Sequence, residues 1–145
     1  MARDARPTPY GSARTSPQRE GIVRAIDALE RAFTAEELVA ALADDGVAPG
    51  VATVYRALTV LEDTGYVVRV GERDGAALFA RCDIRGHHHH MVCVACGHVS
   101  PASCPVGDET LASAAREGFL ITSHEVTLYG VCRACLAAGR DGEVH

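Results

Sequence analysis

Three features that are common in proteins are missing from this sequence of 145 residues. It has no window of about 18 uncharged apolar residues, which excludes a membrane-spanning helix. No apolar segment follows its N-terminal charges, which excludes a secretory signal peptide. Lysine is absent, so all 14 basic residues are arginine, and codon usage explains this without any function. We therefore expect a cytoplasmic protein whose cysteines serve as metal ligands rather than as disulfides.

Charge and metal-binding residue types are unevenly distributed along the chain. The net charge of −5 argues against bulk attraction to nucleic acid or membrane, although it leaves room for a local basic patch. Residues 1–85 contain 11 arginines, one cysteine and no histidine, whereas residues 86–145 contain 3 arginines, five cysteines and seven histidines. This change predicts an N-terminal unit and a smaller C-terminal unit that is rich in metal ligands.

The N-terminal unit carries local signals for three helices. Ser16 followed by Pro17 is typical of a helix start, and Thr34 with Glu37 forms a capping-box pattern for a second helix. Apolar residues then recur at helical spacing over residues 51–64, which predicts a third helix. Its apolar stripe comprises Val51, Val54, Leu58 and Leu61.

Two β-like runs follow the third helix, at residues 66–70 and 76–80, and the Gly-containing segment 71–75 between them predicts a hairpin. Three helices followed by a hairpin is the order of a winged helix-turn-helix. The outer face of the third helix has small residues and one arginine, Arg56, which suits the major groove of DNA. A small helical domain with an incidental hairpin is the alternative.

Two Cys-x-x-Cys pairs lie in the C-terminal unit and are separated by 35 residues. Two intervening residues let both thiolates of a pair reach one tetrahedral ion, and two such pairs complete its shell. Since a closed shell leaves no position for a substrate, we predict a structural zinc site rather than two redox motifs or unrelated buried thiols. Gly97 follows the first pair, where a tight turn would relieve crowding. This cysteine quartet consists of Cys93, Cys96, Cys132 and Cys135.

A run of four histidines at residues 87–90 leads directly into the first pair. Its internal position and short length argue against an expression tag. On a strand, alternation sends His87 and His89 to one face and His88 and His90 to the other, so one strand can supply two sites. Cys82 is the candidate partner for the second face. Asp108, before a predicted helix at 110–117, and His124, in a β-rich stretch at 119–129, are candidates for the first.

These motifs together resemble the ferric uptake regulator superfamily of metal-sensing bacterial repressors. The resemblance spans residues 14–136 and rests on TSPQR at 15–19, ATVYRAL at 52–58, the histidine run and the two cysteine pairs. It implies an α+β fold, with an N-terminal winged helix-turn-helix domain and a C-terminal α/β dimerisation domain that holds structural zinc. The domains implied are a flexible arm (1–13), a DNA-binding domain (14–81), a hinge (82–86), a metal-binding dimerisation domain (87–136) and a tail (137–145).

The resemblance also implies a role for particular residues. With a cysteine at position 82, the chain resembles the zinc uptake regulator branch of the superfamily. This resemblance implies a zinc-loaded homodimer that binds palindromic double-stranded operator DNA and represses zinc uptake and homeostasis genes. Zn²⁺ would be structural at the cysteine quartet, with one or two regulatory ions per chain. The implied regulatory hinge ligands are Cys82, His88 and His90, and the implied second sensing site comprises His87, His89, Asp108 and His124. The implied DNA contacts are Arg14, Arg19, Thr53, Tyr55 and Arg56.

The chain departs from the pattern of the superfamily at a few positions. The fourth hinge ligand is missing from its expected place near Val68, and Phe33 stands where iron-type sensors use a histidine. Cys104 is outside every implied ligand set, so we interpret it as a spare thiol, with recruitment as a ligand as the alternative. Candidate substitutes for the fourth hinge ligand are Glu72, Asp74, Asp83, His98 and water.

Other classes of function compete with metal-gated repression. An iron or peroxide sensor of the same superfamily is one. A zinc hydrolase or deaminase is another, but the zinc-enzyme sequence motifs are absent. A thiol-redox protein is the third, yet we expect neither cysteine pair to begin a helix after a strand, where the pKa of the thiol would fall. We therefore expect no enzyme, no membrane partner and no small organic substrate.

Overall fold

The computed structural model describes residues 8–84 and 86–140. The N-terminal unit has three helices followed by two strands, and the C-terminal unit has three strands and two helices. No helix in the described part of the chain is long and apolar enough to cross a bilayer. The elements are α1 (Pro17–Leu29), α2 (Ala35–Asp44), α3 (Val51–Asp63), β1 (Val67–Arg73), β2 (Ala76–Arg81), β3 (His89–Cys93), β4 (Val99–Ala102), α4 (Asp108–Arg116), β5 (Thr127–Gly130) and α5 (Arg133–Ala137).

The helix starts in the N-terminal unit are those that the sequence predicts. The Ser16 hydroxyl accepts a hydrogen bond from the backbone N–H of Arg19, and Pro17 is the first residue of α1. Thr34 and Glu37 form a reciprocal capping box at the start of α2. The two caps satisfy backbone donors that have no partner within the helix, which explains why these short signals fix both boundaries.

The core of the N-terminal unit lies between the three helices and the hairpin. Val54 and Leu58 of the predicted α3 stripe are buried, but Val51 is 44% exposed because it lies at the open end of the helix, one turn before the core. The stripe is therefore correct except at its first position. Phe33, in the position where iron-type sensors use a histidine, is fully buried against Phe79. Other large buried side chains of this core include Ile22, Ile26, Leu38, Leu42, Leu61 and Tyr66.

The predicted hairpin is present, but its connection is shorter than the sequence suggests. Only Asp74 and Gly75 separate β1 from β2, and both have positive φ angles (52° and 78°), as a two-residue type I′ turn requires. β1 reaches Arg73 because the register shifts between Arg69 and Gly71, which absorbs an extra residue as a bulge. Residues 71–73 therefore belong to the strand and not to the turn.

The segment before α1 differs from the flexible arm that we expected at residues 1–13. Residues 1–7 lie outside the described residues, but the segment 8–13 packs on the helices. Tyr10 is buried in the core, and its hydroxyl donates to the carbonyl of Arg19. The Thr64 hydroxyl donates to the carbonyl of Pro9 at 2.7 Å. The DNA-binding unit of the structure thus includes residues before 14. The end of the predicted tail, 141–145, is also outside the described residues.

The C-terminal unit is built on a three-stranded sheet with the order β4-β3-β5. β3 runs antiparallel to β4 and parallel to β5, with His90 opposite Thr127 and Cys93 opposite Gly130. Of the predicted β-rich stretch at 119–129, only the end is a strand. α4 begins two residues earlier than predicted and has no buried residue. The observed mixture of helices and strands confirms the α+β fold class.

The two units pack against each other in the described structure. Ala32, Val70, Leu78, Ala80 and Val92 form a buried apolar cluster that draws on both units. The backbone N–H of Ala32 also donates to the carbonyl of Gly97 at 2.8 Å. This contact fixes the N-terminal unit against the turn that follows the first cysteine pair.

Candidate metal centres and nucleic-acid interface

The cysteine quartet is assembled as the spacing predicts. Its four sulfur atoms lie within 4.8 Å of one another, and the Sγ atoms of Cys96 and Cys132 are 3.8 Å apart. Four sulfurs bound to a tetrahedral zinc at about 2.3 Å would be separated by roughly 3.8 Å. The quartet therefore fits one zinc ion and leaves no open coordination position for a substrate.

The surroundings of the quartet favour ionisation of the Cys93 thiol and oppose ionisation of the Cys135 thiol. Burial raises the pKa of Cys93, but backbone N–H donors from Cys132, Cys96 and Ala95 outweigh it and bring that pKa to about 6. Burial and the neighbouring thiols raise the pKa of Cys135 to about 12. A group of four sulfurs in which one readily ionises and another resists ionisation is stabilised when a divalent cation shares all four.

The elements around the quartet correct one expectation. Gly97 turns with a φ of 77°, and its N–H donates to the carbonyl of Cys93, in agreement with the predicted tight turn. Cys132, however, follows β5 and is the N-cap of α5, so one pair does begin a helix after a strand. Our statement that neither pair does so was wrong, because the five-residue α5 is too short to show periodicity in the sequence. Since both pairs meet in one four-sulfur group, the redox alternative gains nothing from it.

The hinge cluster consists of Cys82, His88 and His90 and joins the two units. Cys82 Sγ lies 3.3 Å from His88 Nε2 and 3.9 Å from His90 Nε2. The Cys82 backbone N–H donates to the carbonyl of Tyr66, which ties the thiol to the N-terminal unit. Burial raises the pKa of Cys82, whereas burial and the neighbouring His88 lower the pKa of His90, which favours the neutral imidazole that can donate a lone pair to a metal ion.

None of the residues suggested as a fourth hinge ligand joins this cluster within the described part of the chain. The Glu72 carboxylate pairs with Arg69 at 2.8 Å, and that of Asp83 pairs with Arg81 at 3.1 Å. His98 Nε2 lies 3.0 Å from Ser100 Oγ. Asp74 is in the hairpin turn. The position near Val68 is apolar, as its sequence implies.

Two carboxylates that sequence reasoning missed lie beside the hinge cluster. Glu62 of α3 and Glu125 line one cavity of about 590 Å³ together with His88 and His90. Burial raises the pKa of Glu62, and Glu125 adds to that increase. The two residues are 63 positions apart and share this cavity through the docking of the units, so no local pattern in the sequence could indicate them.

A second cluster consists of His87, His89, Cys104 and His124. His124 Nε2 lies 3.0 Å from His87 Nε2 and 3.1 Å from Cys104 Sγ. His89 is buried, and the backbone N–H of Val126 donates to its Nδ1, which orients the ring. The alternation predicted for the histidine run is therefore realised, although regular pairing begins only at His89.

The second cluster differs from the predicted ligand set at one position. Asp108 is not among the grouped residues. It is the first residue of α4, where an acidic side chain interacts favourably with the positive end of the helix dipole. Cys104, which we interpreted as a spare thiol, is in the group instead. The signal that could have indicated this is the composition itself, since every other cysteine of the chain falls in a ligand cluster.

The predicted DNA contacts lie in two places on the N-terminal unit. Tyr55 and Arg56 are exposed on α3, and Arg56 Nη2 donates to the hydroxyl of Thr53 at 3.2 Å. Arg19 Nη1 donates to the carbonyl of Arg14 at 2.6 Å, and the Arg19 guanidinium also lies over the Tyr10 ring. Both groups present arginine next to a helix N-terminus, which is an arrangement that suits phosphate oxygens.

A winged DNA-binding unit docked onto a unit with cysteine and histidine clusters defines a metal-responsive DNA-binding regulator. The sequence profile described as the ferric uptake regulator family matches residues 11–129. The ferric uptake regulation protein of Neisseria meningitidis serogroup A is 38% identical over 112 residues, which is 77% of each chain. The chain thus belongs to the ferric uptake regulator family, whose members regulate transcription and are not enzymes.

Further comparisons agree with this assignment and differ in the signal that each protein senses. The peroxide-responsive repressor PerR of Staphylococcus saprophyticus is 33% identical over 124 residues, 84% of this chain and 82% of that protein. The solved structure of a zinc uptake regulator complexed with zinc and DNA superimposes with a TM-score of 0.71 at 27% identity, covering 88% of this chain and 86% of that one. The Vibrio cholerae ferric uptake regulator gives 0.56 at 33% identity, covering 82% and 92%.

Proposed function

We propose that this regulator is a zinc-responsive repressor, which binds palindromic operator DNA as a homodimer when loaded with zinc and controls genes of zinc uptake and homeostasis. The observation that carries the proposal is the hinge cluster, with one thiol and two imidazoles within bonding range of a common point. A thiolate and two imidazoles favour zinc over harder cations such as Mn²⁺ or Mg²⁺. The similarity to a zinc uptake regulator solved with zinc and DNA supports the same metal.

The docking of the two units explains how metal binding and DNA binding are coupled. Cys82 moves with the N-terminal unit, whereas His88 and His90 move with the C-terminal unit. When the units separate, the three donors separate too. A bound zinc ion would supply the positive charge that the three donors share. Only the docked arrangement completes the set of zinc donors, and in this proposal operator DNA binds the same arrangement. Zinc and DNA therefore raise each other's affinity, with a coupling of about 1–3 kcal/mol.

Exposed apolar residues of the C-terminal unit support the homodimer. Phe119 is 69% exposed and Leu120 is 89% exposed. An isolated unit would leave this surface in water, whereas a symmetric partner would bury the same surface on both chains. Further exposed apolar side chains of this unit are Leu111, Ile121, Leu128 and Leu136.

An iron sensor is the second candidate, since the Neisseria relative is a ferric uptake regulation protein. The test compares Zn(II) with anaerobic Fe(II) in binding of DNA that the metal-loaded protein selects from a random pool. We expect tight binding with zinc and a loss of about 5–150-fold in the Cys82→Ser protein, which is the range of ordinary coupling energies.

The zinc content of the cysteine quartet serves as the control for this test, because it should remain one ion per chain in the Cys82→Ser protein. Equal activation of the wild-type protein by Fe(II), or full zinc-dependent DNA binding by the Cys82→Ser protein, would contradict the proposal.

Replacing Arg56 with alanine tests the DNA-binding face. We expect operator affinity to fall by about 1–3 kcal/mol if Arg56 contacts a guanine, or by a sequence-independent amount with a smaller salt dependence if it contacts a phosphate. Zinc content should not change. Arg140→Ala is the matched control, since Arg140 is an exposed arginine of the C-terminal unit. Unaltered affinity of the Arg56→Ala protein across salt concentrations would remove Arg56 from the contact surface.

A further inference from the structure

We infer that Cys104 is the fourth donor of the second cluster, which makes this a metal site with three imidazoles and one thiolate. The carboxylate of Asp108, which the family resemblance implies, is not a ligand in this arrangement. The inference rests on the proposed function only for the role of the site in sensing, since binding of the metal itself can be measured without DNA.

The distances in the second cluster fit a small tetrahedral ion. Donor atoms around zinc, at about 2.0–2.1 Å for nitrogen and 2.3 Å for sulfur, are separated by roughly 3.3–3.8 Å. His124 Nε2 has His87 Nε2 at 3.0 Å and Cys104 Sγ at 3.1 Å, and all four donor atoms lie within 4.8 Å of one another. The two short distances need to lengthen by only a few tenths of an ångström to match a zinc shell, and the remaining donor atoms already lie in the same group.

The buried ring of His89 is an independent indication that a metal ion binds at the second cluster. His89 is 3% exposed, and its Nε2 atom has no hydrogen-bond partner among the described residues. Its ring centroid lies 4.7 Å from that of His87 and 5.1 Å from that of His124, so the ring belongs to the same group. A buried polar atom without a partner is costly, and a metal ion bound at His89 Nε2 would give that atom its partner.

Asp108 has a different role in the described structure. It lies four residues after Cys104, in the first turn of α4 beside Glu109, and Arg116 lies in the last turn. This charge order complements the helix macrodipole and accounts for the acidic residues without a metal. The segment between β4 and α4 thus brings a sulfur to the site and leaves the carboxylate on the helix.

A thiolate in place of a carboxylate changes which metals the site accepts. Sulfur is a soft donor, so the site should prefer Zn²⁺ or Co²⁺ to Mn²⁺ or Mg²⁺, which favour oxygen. Cys104 is also exposed, so its thiol is open to alkylating reagents in the metal-free protein and should be protected in the metal-bound protein.

The experiment measures zinc per chain at buffered free zinc in the full-length wild-type, Cys104→Ser, Asp108→Asn and Cys82→Ser proteins. We expect Cys104→Ser to lose one ion per chain, with its affinity at this site reduced by at least the roughly 10–100-fold that loss of a group supporting a ligand costs, while Asp108→Asn retains the wild-type content. Loss of the ion in Asp108→Asn with full retention in Cys104→Ser would overturn the inference. Because Cys104 is exposed, the serine protein should fold normally, which its circular dichroism spectrum checks.

Two further readouts identify the sulfur directly. In the Cys82→Ser protein with zinc retained in the quartet, Co(II) bound at this site should give a thiolate charge-transfer band, which should be lost when Cys104→Ser is added to the same protein. Zinc should slow alkylation of Cys104 by N-ethylmaleimide in the wild-type protein, but not in a His124→Ala protein. Alkylation at equal rates with and without zinc would contradict ligation. Failure of zinc-dependent DNA binding alongside these results would remove the proposed repressor function and leave the site intact.

Discussion

Replacing Cys93 with serine is expected to unfold the C-terminal unit and to abolish the proposed dimer. The strands of this unit are short and its α4 helix has no buried residue, so its apolar core contributes little to stability. Structural zinc in small domains contributes roughly 10–16 kcal/mol of apparent binding free energy, which far exceeds what this core can replace. Far-ultraviolet circular dichroism, sedimentation and zinc analysis would report the loss together.

Cys104→Ser is the matched control for the Cys93 variant, because it also removes one thiol of the C-terminal unit but from an exposed position. It should leave the folded dimer and the quartet's zinc in place. An intact dimer that retains unchanged helical content after Cys93→Ser would show that the quartet is not structural.

Replacing Gly71 with alanine is expected to weaken the docking of the two units. A Cβ at Gly71 would lie 2.8 Å from Cζ of Tyr129 and closer still to its hydroxyl, and the φ angle of 145° disfavours any side chain. The Tyr129 hydroxyl accepts a hydrogen bond from the backbone N–H of Glu72 at 3.3 Å, which would be lost when the ring moves. We expect a cost of about 1–3 kcal/mol, with faster hydrogen exchange at the Ala32 amide.

Gly75→Ala is the control for this substitution, since Gly75 also has a positive φ but nothing lies within 4 Å of its added Cβ. It should strain the hairpin without affecting the Ala32 amide. Tyr129→Phe, combined with Gly71→Ala, should restore part of the docking because it removes the atom in the closest contact. Equal exchange at Ala32 in the Gly71 and Gly75 variants would contradict a docking role for this contact.

Local chemistry explains which parts of the fold the sequence predicts. The caps at Ser16 and Thr34 act within one helical turn, so short motifs are enough to locate α1 and α2. The cysteine quartet was predictable for the same reason, since the donors of each pair are three residues apart. The bulge between Arg69 and Gly71 was not, because the extra residue is accommodated by pairing with a strand whose register is set by the whole sheet.

The candidate sites show the same division between local and long-range information. Alternation along the backbone separates His87 and His89 from His88 and His90 even where no strand pairing exists, so the two faces were correctly anticipated. The choice between Cys104 and Asp108 depends on the path of the segment before α4, which has no periodicity. The contact of Tyr129 with Gly71 depends on how two units dock, and no pattern within either unit encodes it.

The parallel pairing of β3 with β5 has a consequence for folding of the protein during its synthesis on the ribosome. The N-terminal unit contains its own core and can fold as soon as β2 has emerged, in keeping with the usual order of co-translational folding. β3 cannot complete its sheet until β5 and Cys132 follow, which takes a few seconds at about 5–20 residues per second. During that interval Cys93 and Cys96 are an incomplete chelate, so the nascent chain is most open to the wrong metal before the second pair of cysteines arrives.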